Sequence, residues 1–380
     1  MDTLLKKSAL VMLAAAMSLM ALASSAAADE IKPQVERSHI DLVIALDTSN
    51  SMDGLIDAAR QKIWDLVNEM ATARPTPILR VGLISFGNDG YQEAGWTRVD
   101  QPLTDDLDAI YEKLMALKTN GGTEYVGRAI FTARTKMDWR KDAKALKLIF
   151  VAGNEGADQD FEHPSVKEAG LIIAQDIVVN TIYCGTETDS DAKGWRDVAQ
   201  RADGQFANIA PDGGAVVIET PFDDRLGELS SKLNTTYVAY GARGEAAKES
   251  QMAMDDKAAD MSRSAGAARA AAKGSALYRN SKWDLVDALD QGEVDLDEVA
   301  VEDLPDEMKG MKGAEREAFI KEKAAEREAI QKEIAALNVK RNEHIQKELK
   351  KKGGKKDQAF DAAVSKALRS QAGRKGISFE

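Results

Sequence analysis

Asp47, Ser49 and Ser51 stand at i, i+2 and i+4 directly after the apolar run Ile40–Leu46. That spacing, in a loop that leaves a strand, can point one carboxylate and two hydroxyl oxygens at a single spot. Hard divalent cations take such ligands, and Mg²⁺ holds them octahedrally at about 2.0–2.1 Å. Because two of the three oxygens are neutral, a bound ion keeps positive charge and can accept an acidic group from a partner. The pattern therefore points to metal-mediated binding rather than to calcium storage.

The pentapeptide Asp47-Thr48-Ser49-Asn50-Ser51 resembles the Asp-x-Ser-x-Ser motif of von Willebrand factor type A domains, the first part of their metal-ion-dependent adhesion site. A second part, a Thr after a Gly-rich turn, fits Thr123 in Asn120-Gly121-Gly122-Thr123-Glu124. The third part, an Asp after the next hydrophobic strand, is missing. Lys147–Ala152 runs into Gly153-Asn154-Glu155-Gly156, so neutral Asn154 takes the Asp position, with Glu155 one residue on. The resemblance spans residues 38–243. It implies Mg²⁺ or Mn²⁺ held by Ser49, Ser51 and Thr123, with Asp47 and Asn154 bound directly or through water. One coordination position would stay open for an acidic side chain of a protein partner. With one carboxylate fewer than the family pattern, the ion should bind more weakly alone, and Glu124, Glu155 and Asp158 are candidates to offset the loss.

The elements that position these loops alternate between strand and helix. Strand-like runs are Ile40–Leu46, Leu79–Phe86, Trp96–Asp100, Leu146–Ala152, Ile177–Cys184 and Gln205–Ile209. Most are continuous β-branched runs, the mark of strands covered on both faces. Amphipathic stretches between them are Gly54–Ala73, Leu107–Leu117, Tyr125–Met137, Ser165–Gln175, Lys193–Arg201 and Arg225–Ala239. Such alternation predicts an α/β, doubly wound and mostly parallel six-stranded sheet with helices on both faces. Trp96–Asp100 follows its predecessor after a short connection and reads as an antiparallel edge. The family resemblance implies the strand order 3-2-1-4-5-6, which makes the strands ending at Asp47 and Asn154 neighbours at the switch point where such sheets bind ligands. The helix starting near Gly54 would aim its positive end at the same place.

Beyond residue 243 the composition changes. Residues 244–275 are rich in Ala, Ser, Lys and Asp and read as a linker or a weak exposed helix. Residues 276–380 read as a charged, coiled-coil-like helical region. Leu277–Gln291 regains apolar anchors, Gly292 marks a helix stop, and Pro305 opens another helix. From Ala314 to Lys352 there is neither Gly nor Pro, with Ile320, Ile330, Ile334, Leu337, Ile345 and Leu349 on one stripe broken by Arg327 and Arg341. That stripe must be buried, either in a coiled coil with another chain or against the Leu277 region.

The N-terminal 28 residues read as a secretory signal peptide: Lys6 and Lys7, an apolar stretch from Ala9 to Leu22, and Ser25-Ala26-Ala27-Ala28 before the cut. This reading predicts an exported, periplasmic or secreted protein with no transmembrane segment in the mature chain. The full chain carries a net charge of −12. Losing Asp2, Lys6 and Lys7 with the signal peptide makes it one unit more negative, which argues against nucleic acid as a partner. Cys184 is the single cysteine, so no internal disulfide forms, and its apolar neighbours make it a small core side chain. No His-rich metal spacing, nucleophile elbow or Cys–His pair is present, and His39, His163 and His344 lie far apart. The residues thus favour a binding module over an enzyme. A metal-independent scaffold assembled or docked to the envelope by its C-terminal helices is the alternative, and a hydrolase using the ion is a remote third.

Overall fold

The computed structural model describes residues 37–53, 56, 66–209, 218–351 and 365–379. The N-terminal stretch read as a signal peptide, and most of the first half of the stretch Gly54–Ala73 read as a helix, lie outside the described residues.

Six strands form the central sheet: β1 His39–Asp47, β2 Ile78–Phe86, β3 Thr97–Thr104, β4 Leu146–Gly153, β5 Val178–Cys184 and β6 Phe206–Ile209. Their order is β3-β2-β1-β4-β5-β6. β1 pairs parallel with both β2 and β4, while β3 pairs antiparallel with β2 and shifts register at Leu83. The antiparallel edge runs through Thr104, longer than the apolar pattern predicts, and takes in Asp100, whose buried carboxylate pairs with Arg98.

Period-two alternation divides β1 between two cores. Leu42, Ile44 and Leu46 join Leu148 and Phe150 under the helices Leu107–Ala116 and Asp223–Asn234. Val43 and Ala45 join Ile149 and Val151 under Val126–Lys136, Ser165–Ile173 and Ala192–Arg201. Asp106 caps the Leu107 helix by accepting from the Asp108 and Ala109 N–H groups at 3.0 Å each. Cys184 is buried, and burial pushes its thiol up to about 12, as an inert core position requires.

Residues 244–275 are helical, one of the two forms the sequence allows, which corrects the linker alternative. They form two packed helices, Gly244–Met261 and Arg263–Lys273, the second with almost every side chain buried. The reason is electrostatic as well as apolar. Arg269 is buried between Asp108 and Asp255 at 2.5 and 2.9 Å, and Lys273 donates to Ser230 at 3.2 Å and to Asn234 and Asp255. Those carboxylates make burial of two cations tolerable.

The long helix spans Gly313–Lys351 and packs on the helices Asp223–Asn234, Arg263–Lys273 and Leu285–Asp290 of its own chain. The two arginines that break its apolar stripe are part of the contact. Ile320, Arg327, Ile334 and Arg341 are buried at seven-residue spacing. Arg341 donates to Asp223 at 3.0 Å and to the Ser264 hydroxyl at 2.8 Å. The stripe is thus covered in large part within the molecule: Ile320, Ile334 and Leu349 are buried, and Ile330 and Leu337 pack half-buried against the first core. The helix expected over Leu277–Gln291 shrinks to Leu285–Asp290, followed by left-handed Gly292.

The chain then returns to the sheet. Leu368, Ala372 and Ile377 enter the first core, and Ser378–Phe379 pairs antiparallel with Ala73–Arg74. Asn180 and Gln371 exchange amide hydrogen bonds at 3.1 and 2.7 Å, both buried. Arg37–Glu380 accordingly packs as one compact unit, and no helix among the described residues is long and apolar enough to cross a membrane.

Candidate functional site

The carboxyl ends of β1 and β4 lie side by side, and the loops leaving them meet the loop before the Val126–Lys136 helix. Backbone bonds stitch these loops together. Asn120 N–H donates to Thr48 C=O at 2.9 Å, and Asn50 N–H donates to Gly121 C=O at 2.9 Å. Buried Asn88 reaches from the β2 loop to the carbonyls of Thr48 and Lys118 at 3.4 and 3.0 Å. The ends of β1 and β2 and the loop before the Val126–Lys136 helix are thereby held in one rim.

Asp47 is fully buried at the base of that rim. Its Oδ1 accepts from Ser49 N–H at 2.8 Å, whereas Oδ2 has no hydrogen-bond partner among the described residues. Two glycines make room for it. A Cβ at Gly87, whose φ is +83°, would lie 2.5 Å from Asp47 Oδ1, and one at Gly153 would lie 3.1 Å from Oδ2. Above Asp47, the Ser49 and Ser51 hydroxyls are 2.8 Å apart. Ser51 donates to Asn154 Oδ1 at 3.0 Å and to Glu124 Oε1 at 3.3 Å, and Asn154 Nδ2 returns a bond to Ser51 C=O at 3.0 Å. Gln159 donates to Glu124 at 3.2 Å and to Glu155 at 3.4 Å, and the Trp195 indole fixes Glu155 C=O at 2.6 Å.

Charge is crowded here. Burial pushes Asp47 up to about 7, with the Glu155 charge adding and hydrogen bonds from Ser49 opposing. Burial, then the Asp47 charge and contact with Glu155, pushes Glu124 up to about 8. A desolvated carboxylate with an orphaned oxygen, beside a second carboxylate that resists ionisation, is the electrostatic arrangement a cation would relieve.

The structure brings Asp47, Ser49, Ser51 and Asn154 together, with Glu124 and Glu155 around them. Thr123 is half-buried on the adjoining loop, next to Glu124; the helix that follows is capped at Tyr125, not Thr123. Asp158 sits exposed one turn further on, where its carboxylate and that of Asp191 flank Gly156. Sequence reasoning missed Gln159, Asn88 and Gly87. Only Gly87 carried a signal, as a glycine directly after a buried strand. The histidines have other contacts: His163 stacks on Phe131 and meets Glu168 at 3.2 Å, and His39 meets Asp142 at 3.5 Å.

Among the described residues no group of three or more His, Cys, Asp or Glu side chains is spaced to hold a metal ion. Any ion here would depend on hydroxyl and amide oxygens together with Asp47 and Glu124. That all-oxygen donor set fits a hard divalent cation and does not suit a soft one.

Comparison with solved structures gives partial likenesses, three of which follow. The SpRpn10 VWA domain is 16% identical at a TM-score of 0.37, covering 50% of this chain and 95% of that one. Proximal thread matrix protein 1 from the mussel byssus, solved with a zinc-occupied MIDAS motif, is 15% identical at 0.37, covering 46% and 43%. The three N-terminal domains of the type V pili tip protein Mfa5 from Porphyromonas gingivalis are 12% identical at 0.35, covering 48% and 49%. This chain thus spans less than half of the mussel and pilus-tip structures. No curated protein matches. Residues 42–155, which run from β1 through Glu155 and include Asp47, Ser49, Ser51, Thr123, Glu124 and Asn154, match the family profile described as von Willebrand factor type A domain.

Proposed function

We propose that this chain is an exported protein-binding module whose candidate site takes up Mg²⁺ or Mn²⁺ and, through it, an acidic side chain of a partner. The observation that carries this reading is the orphaned Oδ2 of fully buried Asp47. A carboxylate oxygen taken from water without a compensating bond is costly, and a cation shared with Ser49 and Ser51 would supply the missing partner. Asp47, Ser49, Ser51, Thr123 and Asn154 would hold the ion, with Glu124 and Glu155 near it. The ion would supply a positive charge at the solvent-facing mouth formed by Ser51, Asn154 and Glu155. Asn154 keeps an oxygen there but no charge, so the partner's carboxylate contributes more of the neutralisation than an Asp in its place would require. The reading assigns the site no catalysis.

Several features of the chain support the rest of the proposal. The N-terminal basic, apolar and small-residue pattern supports export to the periplasm or beyond. The net charge of −12 favours protein over nucleic acid as partner. The metal-independent scaffold draws less support, because the long helix spends its buried stripe on its own chain. Titrating Mn²⁺ into the chelator-treated mature chain, with free Mn²⁺ read by electron paramagnetic resonance, tests the proposal. Saturable one-site uptake that Asp47→Ala abolishes supports it; identical traces for the two proteins refute it.

A further inference from the structure

Away from the metal-site loops, an open groove of about 660 Å³ lies between residues 289–298 and the first turns of the long helix. Its size falls in the ~300–1,000 Å³ range of recognised binding clefts. The floor is apolar. Leu296 and Ile320 belong to a small core of their own, and Leu289 and Val294 lie half-buried at its edge. The rim is acidic: Glu293, Asp295, Glu298 and Glu317 line the groove, and Lys321 is the one cation among its lining residues. The imbalance extends along the chain, since residues 290–307 contain nine carboxylates and neither Lys nor Arg.

Apolar floor and carboxylate rim together restrict the occupant. A purely apolar ligand would strip water from the rim carboxylates and give them nothing in return. An anionic ligand or nucleic acid would be repelled. A small cation would leave the floor wet. We infer that this groove docks an amphipathic segment of a protein partner, with its apolar side chains on Leu289, Val294 and Leu296 and its Lys or Arg side chains against Glu293, Asp295 and Glu298, Glu317 being paired with Lys321 at 3.6 Å. Seating a helix in a groove by spaced apolar anchors is a common recognition mode, and opposite charge at the rim sets register and on-rate. The exposed lysines Lys347, Lys350 and Lys351, three of the chain's exposed cations, lie at the far end of the same helix. That is roughly 45 Å from Lys321 at ~1.5 Å per residue, so they cannot fill the groove of their own molecule. The inference does not depend on the metal site.

The test uses the full mature chain and a fluorescein-labelled peptide of Leu and Lys with apolar positions at i, i+3, i+4 and i+7, read by anisotropy at physiological salt. Saturable binding that Glu293→Lys with Glu298→Lys weakens at least tenfold, and that Glu249→Lys with Asp256→Lys leaves unchanged, supports the groove. All four positions are exposed, and unchanged melting curves confirm that the variants fold. A matching peptide with Ser for Leu should lose the binding. Equal weakening by both double reversals would reduce the effect to general surface charge and overturn the proposal, as would absence of saturable binding. A dimer seen by sedimentation that dissolves on reversal at Glu293 and Glu298 would assign the groove to a second copy and overturn it also.

Discussion

Arg327 and Asp284 form a buried, two-pronged ion pair: the guanidinium donates to both carboxylate oxygens, at 2.6 and 3.1 Å. The remaining donors reach Asp287 at 3.0 Å and the Thr236 hydroxyl and carbonyl at 3.1 and 2.7 Å. All five N–H groups of the guanidinium are thus used, and the Tyr237 ring lies 4.3 Å beneath it. One side chain ties the long helix to the segment after the sheet domain and to the Leu285–Asp290 helix. Arg327→Leu should cost about 3–5 kcal/mol in urea unfolding, because it leaves Asp284 and Asp287 buried without a counter-charge. A loss below about 1 kcal/mol would show that the C-terminal helices are not integral to the fold.

How much of this could be read beforehand follows from the kind of signal each part carries. The six strands were legible because continuous β-branched runs need no partner to be recognised, and the antiparallel edge was legible from a short connection. The Arg263–Lys273 helix was not. Alanine gives a weak amphipathic signal, and Arg269 and Lys273 read as solvent-facing cations until Asp108 and Asp255 are placed beside them. Arg327 and Arg341 read as breaks in a seam for the same reason, since Asp284 and Asp223 lie distant in sequence. In the site, Asp47, Ser49 and Ser51 carried a local spacing, and the closeness of Asn154 to them was expected only through the strand order that the family resemblance implies, whereas Gln159 had no local pattern to mark it.

Gly87→Ala tests the cradle around Asp47. The new methyl group would sit 2.5 Å from Asp47 Oδ1 on a backbone with φ of +83°, a conformation that costs a non-glycine residue about 1–3 kcal/mol. Thermal unfolding should show that loss, and the stabilisation by Mn²⁺ should shrink with it. An unchanged metal response would separate Asp47 from the ion.

The metal-free protein should lose stability as pH rises. Asp47 in the folded state titrates at about 7 against an ordinary 3.8, so between those values the folded state holds a proton that the unfolded chain has released. Stability therefore falls through that window. At about 1.4 kcal/mol per pH unit, Asp47 alone is worth at most about 4 kcal/mol. Glu124, raised from 4.5 to about 8, extends the decline upward. Urea unfolding in EDTA at pH 5 and pH 8 checks the sign, and Asp47→Asn should flatten the difference. Greater stability at pH 8 would contradict the buried-carboxylate account.

Asn154→Asp would add the charge missing from the third loop. The variant should bind Mn²⁺ about tenfold more tightly, worth ~1.4 kcal/mol, and depend less on an added carboxylate ligand. Calorimetric titration of both proteins measures the ratio; equal affinities would remove Asn154 from the ligand set.

Thermal unfolding of the mature chain in EDTA and in millimolar Mg²⁺ or Mn²⁺, with Asp47→Ala alongside, tests the central claim most directly. An ion that binds only the folded state adds about 2.7 kcal/mol at a hundredfold excess over Kd. The account predicts a melting temperature several degrees higher with metal, and no such rise in Asp47→Ala. Melting curves that coincide with and without metal, for both proteins, would contradict it.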